Sequence, residues 1–184
     1  MAYHYLDYQQ LHAFCSAAFR SYGFDEKTSG EITNILLAAD LNGIESHGVQ
    51  RMVRYDYEIS CGMVDMSSKP EIVFETPISA VIDAHNGMGQ VVGRMAMEMA
   101  IEKAKKVGCG FVSVRRSNHY GIAGYYTEMA AREVQQHGTG FPDRSPISAD
   151  KTVRLMPVTN IFNLIDGGKL ANLPPVDQIF QCHI

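Results

Sequence analysis

Residues 80–115, AVIDAHNGMGQVVGRMAMEMAIEKAKKVGCGFVSVR, decide the fold class. They open on a short β-favouring run, AVID, and pass through the glycine-punctuated NGMG at 86–89. QVVGRMAMEMAIEKAKKVG then reads as one long helix closed by Gly108, and GFVSVRR as a further strand. Strand, tight turn, helix and strand in that order make an α/β chain. Gly87, Gly89 and Gly93 imitate a dinucleotide fingerprint, but their spacing is G-x-G-x-x-x-G, and no acidic residue after a second strand completes it. The expectation is a tight strand-to-helix turn, with Gly93 at a helix-packing position and Met95, Met97 and Met99 filling core.

Upstream, EIVFE at 71–75 and AVID flank TPIS, where Pro77 marks a turn, so a hairpin or a pair of adjacent strands is expected. The first 62 residues read as a helical segment. Asp7 caps a helix with Leu11, Phe14, Cys15 and Ala18 on its apolar face and Gly23 at its end. Asp25 opens a second helix carrying Ile32, Ile35, Leu36 and Ala39, which Gly43 stops, and a third runs from about Val49 to Ser60. Residues 63–134 form the α/β segment, ending in SNHYG as a loop and IAGYYTEMAAREV as a helix. Residues 135–184 hold Pro142, Pro146, Pro157, Pro174 and Pro175 and no sustained helical period, so that stretch is expected to be a divergent, loop-rich tail.

Composition removes several function classes. Sixteen basic residues against twenty acidic ones, with no long basic run, leave no phosphate-tracking surface for nucleic acid. Cys15, Cys61, Cys109 and Cys182 are scattered without metal-ligand spacing, and no HExxH or DxDxDG pattern occurs, so no metal site is expected. The start MAYHYLDYQQLHAF has neither export nor transit character, and no apolar run of about 20 residues is present to span a bilayer. A cytoplasmic protein with reduced thiols is the expectation.

Two constellations carry chemistry. In GIESHGVQRMVRY, His47 sits at the mouth of the third helix, while Arg51 and Tyr55, four apart, share a face. An arginine fork grips a carboxylate, and an imidazole exchanges a proton near neutral pH. The structural alternative has His47 capping the helix and Arg51 and Arg54 solvated. In RRSNHYG, directly after the strand GFVSV, His119 occupies the strand-end loop where α/β proteins place their sites. Its alternative is an ordinary loop histidine. Ser46 is expected not to fold back onto its neighbour His47, which sets a nucleophile triad aside.

ESHGVQRMVRY and VSVRRSNHYGIAGYY, bridged by VIDAHNGMGQVVGRMAMEMAIEKAKKVGCGFVSV, resemble the malate/L-lactate dehydrogenase family, which includes ureidoglycolate dehydrogenase, diketogulonate reductase and sulfolactate dehydrogenase. The resemblance covers roughly residues 5–133. It implies a non-Rossmann, NAD- or NADP-dependent fold, an interlocked homodimer, and hydride transfer to or from C2 of a small 2-hydroxy or 2-oxo acid, malate or lactate foremost. Carried over by motif, it makes His47 and His119 the catalytic pair and places Arg51, Tyr55, Ser117 and Asn118 with the substrate. Members run to about twice this length, and the tail here does not follow their course, so the cofactor-binding half is expected to be incomplete. The alternative is a catalytically inactive remnant that serves as a dimerising or interaction module.

Overall fold

The computed structural model describes residues 6–137, and the expectations for the tail from 138 onward lie outside them. The element order is α1 (Tyr8–Ser21), α2 (Glu26–Leu41), two 3₁₀ turns (Glu45–His47 and Val49–Arg51), α3 (Met52–Ser60), β1 (Glu71–Glu75), β2 (Ser79–Asp83), α4 (Gly89–Val107), β3 (Phe111–Arg115) and α5 (Ala123–His137). The aspartate caps form as expected: Asp7 accepts from the Gln10 amide and Asp25 from the Thr28 amide, each at 2.9 Å. Gly23, Gly43, Gly62 and Gly108, the helix-ending glycines, all adopt positive φ.

Three expectations shift. Phe14 lies on the solvent side of α1, 65% exposed, because the stripe facing α2 runs through Cys15, Ser16 and Phe19. That stripe includes a polar pair, Ser16 Oγ to Thr33 Oγ1 at 3.2 Å, which an apolar periodicity does not register. The third helix starts at Met52, since Gly48 breaks the preceding stretch into two 3₁₀ turns. The last helix continues to His137, past the expected boundary at 134.

β1 and β2 form an antiparallel hairpin with an irregularity between Ile72 and Phe74. β2 then pairs in parallel with β3, from Ser79 opposite Phe111 to Asp83 opposite Arg115, with α4 as the crossover. Apolar burial joins the helical and α/β segments. Phe19, Ile32, Leu36 and Tyr55 share a core with Val64 and Met88, and Ile35 packs with Met97, Ile101, Tyr126 and Ala130. Ile82, Ala84, Val92 and Ala96 seal α4 to the sheet.

Asp83, with no exposed surface, ends β2 and accepts from Arg115 Nε and Arg116 Nε, both at 2.7 Å, and from the His85 amide at 3.0 Å. Burial alone would raise its pKa. The Arg116 guanidinium, the His85 amide and the Arg115 guanidinium outweigh it and hold the carboxyl at about 2. The folded-state pKa is below the unfolded one, so this contribution to stability is complete above about pH 4 and disappears as pH falls through about 2. Asp83→Asn is therefore expected to cost about 2 kcal/mol at pH 7 in urea denaturation, with the gap to the wild type closing toward pH 2. A gap of equal size at both pH values would refute the assignment.

Candidate active site

Two stretches far apart in sequence meet beside the buried end of α3. The first is the pair of 3₁₀ turns. Asp40, in the last turn of α2, accepts the Val49 amide through Oδ2 at 2.8 Å. A Cβ on Gly48 would stand 1.9 Å from the same carboxylate, so Asp40 can cap this turn only over a glycine. Arg51 then folds back, its Nε donating to the Ser46 carbonyl at 2.5 Å. Ser46 Oγ lies 2.9 Å from His47 Nδ1. The expectation that Ser46 does not reach its neighbour is thus wrong: the tight 3₁₀ geometry brings hydroxyl and ring together, and the hydroxyl addresses Nδ1.

The second stretch is the loop after β3. Asn118 Nδ2 donates to the carbonyls of Asn86 at 2.8 Å and Gly87 at 3.1 Å, so its amide ties the two strand-end loops together. At Gly89 the start of α4 comes so near this loop that a Cβ would lie 2.3 Å from the carbonyl oxygens of both Asn118 and His119. No side chain fits there. Ser117 makes one long contact, Oγ to the Asn118 carbonyl at 3.4 Å.

Between them the stretches assemble His47, Arg51, Tyr55 and His119. The two imidazole centroids are 5.3 Å apart, and the Tyr55 ring is 5.9 Å from His119. Tyr55 is 1% exposed, and its hydroxyl lies 2.7 Å from both His119 Nδ1 and Gln90 Nε2. Its hydroxyl therefore addresses the histidine, as Asn118 addresses backbone. Two buried polar atoms here have no partner among the described residues, His119 Nε2 and Gln90 Oε1. Burial, followed by the positive field of Arg51, the His47 ring and Arg54, depresses the His119 pKa to about 3, so the ring is neutral near pH 7. Burial and Arg51 lower His47 as well. Asp40 and Gln90 are absent from the sequence-derived site because their roles depend on contacts nine and 35 residues away.

The glycine turn does not fit a dinucleotide. A pyrophosphate needs open backbone at such a turn. Here the space at Gly89 is filled by the Asn118 and His119 carbonyls, and that at Gly93 by the Tyr126 hydroxyl, 2.9 Å from a would-be Cβ. Gly93 is the helix-packing position expected. Among the described residues no helix is long and apolar enough to cross a membrane.

The family profile described as malate/L-lactate dehydrogenase matches residues 6–134. The chain belongs to that family. It is 48% identical over 124 residues to a malate dehydrogenase of Pyrococcus abyssi, covering 67% of this chain and 34% of that protein. It is 43% identical over 114 residues to an L-sulfolactate dehydrogenase of Methanocaldococcus jannaschii, covering 62% and 33%. The solved malate dehydrogenase of Pyrococcus horikoshii superposes with a TM-score of 0.66 at 43% identity, over 71% of this chain and 40% of that one. The family match thus spans about a third of the length of these curated relatives.

Gly89→Ala is expected to destabilise the chain by about 1–3 kcal/mol, because backbone on both sides must move. Gly30, inside α2 with nothing within 4 Å of where a Cβ would stand, provides the contrast: Gly30→Ala should stabilise by about 0.5–1 kcal/mol. Chemical denaturation of both variants checks the pair, and equal effects would contradict the close approach at Gly89.

Proposed function

We propose that this chain carries the substrate-facing part of an enzyme that interconverts small 2-hydroxy and 2-oxo acids, malate or lactate foremost, with NAD or NADP as hydride partner. The observation that carries the reading is the buried Nε2 of His119, which has no partner among the described residues, adjoins His47 and lies in the electrostatic field of Arg51. An atom of that kind is satisfied by a ligand oxygen. The C2 oxygen of the acid meets His119 Nε2, where its proton is held or moved. Arg51 uses Nε on the Ser46 carbonyl, which leaves its terminal nitrogens for the substrate carboxylate. His47 is the second proton-handling group. Ser117 and Asn118 act by placing His119, and Tyr55 by supporting it.

The cofactor enters from family membership. Since the glycine turn is filled by the protein's own atoms, contacts to a dinucleotide are not assigned to that turn. A homodimer and a cytoplasmic setting belong to the same proposal. Its alternative, an inactive remnant, would leave no reason for a buried imidazole nitrogen without a partner among the described residues.

Assay of the full chain with NADH or NADPH and a panel of 2-oxo acids tests the reading. Arg51→Ala should raise KM about tenfold to a hundredfold, from loss of a charge-assisted bidentate contact. His119→Ala should lower kcat about 100-fold or more with the fold intact. Folded protein with no turnover on any such acid would overturn the proposal.

A further inference from the structure

Gln90 is wholly buried at the start of α4; its NH₂ group finds a partner, while its carbonyl oxygen has none among the described residues. The NH₂ group points at the Tyr55 hydroxyl, 2.7 Å away, and the hydroxyl is 2.7 Å from His119 Nδ1. Hydrogen-bond counting fixes the direction of the chain. With the NH₂ toward Tyr55, the carbonyl oxygen and one N–H go unmet among the described residues. Turned around, both N–H groups would be buried without acceptors, the costlier arrangement. Gln90 therefore donates, the Tyr55 oxygen accepts, and the single phenolic proton is left for Nδ1 of His119. Were Tyr55 to accept from Nδ1–H as well, its own proton would be buried with nothing to bond.

We infer that Gln90 and Tyr55 are positioning residues that hold His119 as the neutral tautomer with its proton on Nε2, directed at the substrate's C2 oxygen. This rests on the reaction proposed above and extends it to two residues that touch no substrate. In this state Nε2 is a hydrogen-bond donor, so the resting site suits an oxygen that accepts, such as the carbonyl of a 2-oxo acid. Burial and the positive field of Arg51, which hold the pKa at about 3, keep the ring neutral as this tautomer requires. The tyrosine cannot drift from this duty. Its ring is packed against Phe19 at 6.2 Å between centroids, and the hydroxyl is fixed between two partners.

Nitrogen-15 NMR of the full chain labelled in histidine tests the inference without cofactor or turnover. The wild type near pH 7 should show His119 with a protonated, pyrrole-type Nε2 and a pyridine-type Nδ1 moved upfield by an accepted hydrogen bond. Tyr55→Phe, which keeps the buried ring, should move Nδ1 downfield to the unbonded pyridine-type value and leave Nε2 protonated. Gln90→Leu should move Nδ1 part of the way, because the phenol is then free to rotate. A proton on Nδ1 in the wild type, or an Nδ1 signal indifferent to Tyr55→Phe, overturns the inference, and indifference to Gln90→Leu removes Gln90 from it. These outcomes are independent of the reaction itself: a chain that turns over no 2-oxo acid can still show the Tyr55-dependent signal, and an active one can lack it.

Discussion

The parallel pairing of β2 with β3, closed at its C-terminal end by Asp83 between Arg115 and Arg116, is the constraint from which the site follows. It sets two loop starts side by side. From β2 the chain passes through His85 and Asn86, and from β3 through Arg116, all three with positive φ. Non-glycine residues hold that conformation only where surrounding bonds over-determine it. Here they do: the Ala84 amide reaches the Arg115 carbonyl at 2.9 Å, and the Asn86 amide reaches that of Arg116 at 2.7 Å. The sharp turns that follow deliver Gln90 on one side and His119 on the other.

Tyr55 then connects this α/β frame to the helical segment. Its ring belongs to the core formed by Phe19, Ile32 and Leu36, while its hydroxyl belongs to the site. A single buried side chain thus links the packing of the first three helices with the state of an imidazole 64 residues later. The 3₁₀ turns bearing His47 and Arg51 depend on the same segment through Asp40.

What was legible in the sequence was what local chemistry determines. Asp7 and Asp25 announce helix starts, and the glycines at 23, 43 and 108 announce their ends, because capping and left-handed backbone concern neighbours in the chain. His47, Arg51 and His119 were visible because residue types with recognisable chemistry fall at element boundaries. Asp40, Gln90 and the task of Asn118 were not, since an aspartate in a helix or an asparagine in a loop has many ordinary uses and only its distant partner distinguishes them. Phe14 misled for a related reason: the α1 face that packs on α2 is defined partly by Ser16 and Thr33.

The shared cores also bear on how the chain is made. Phe19, Ile32 and Leu36 pack against Val64 and Met88, and Ile35 against Met97, Ile101, Tyr126 and Ala130. A ribosome that has just finished α3 still has on the order of thirty residues to add before Met88 arrives, which takes a few seconds at roughly 5–20 residues per second. For that interval the nascent helices present an apolar surface with no intramolecular cover. Chaperone engagement at the exit tunnel would shield that surface until its partners follow.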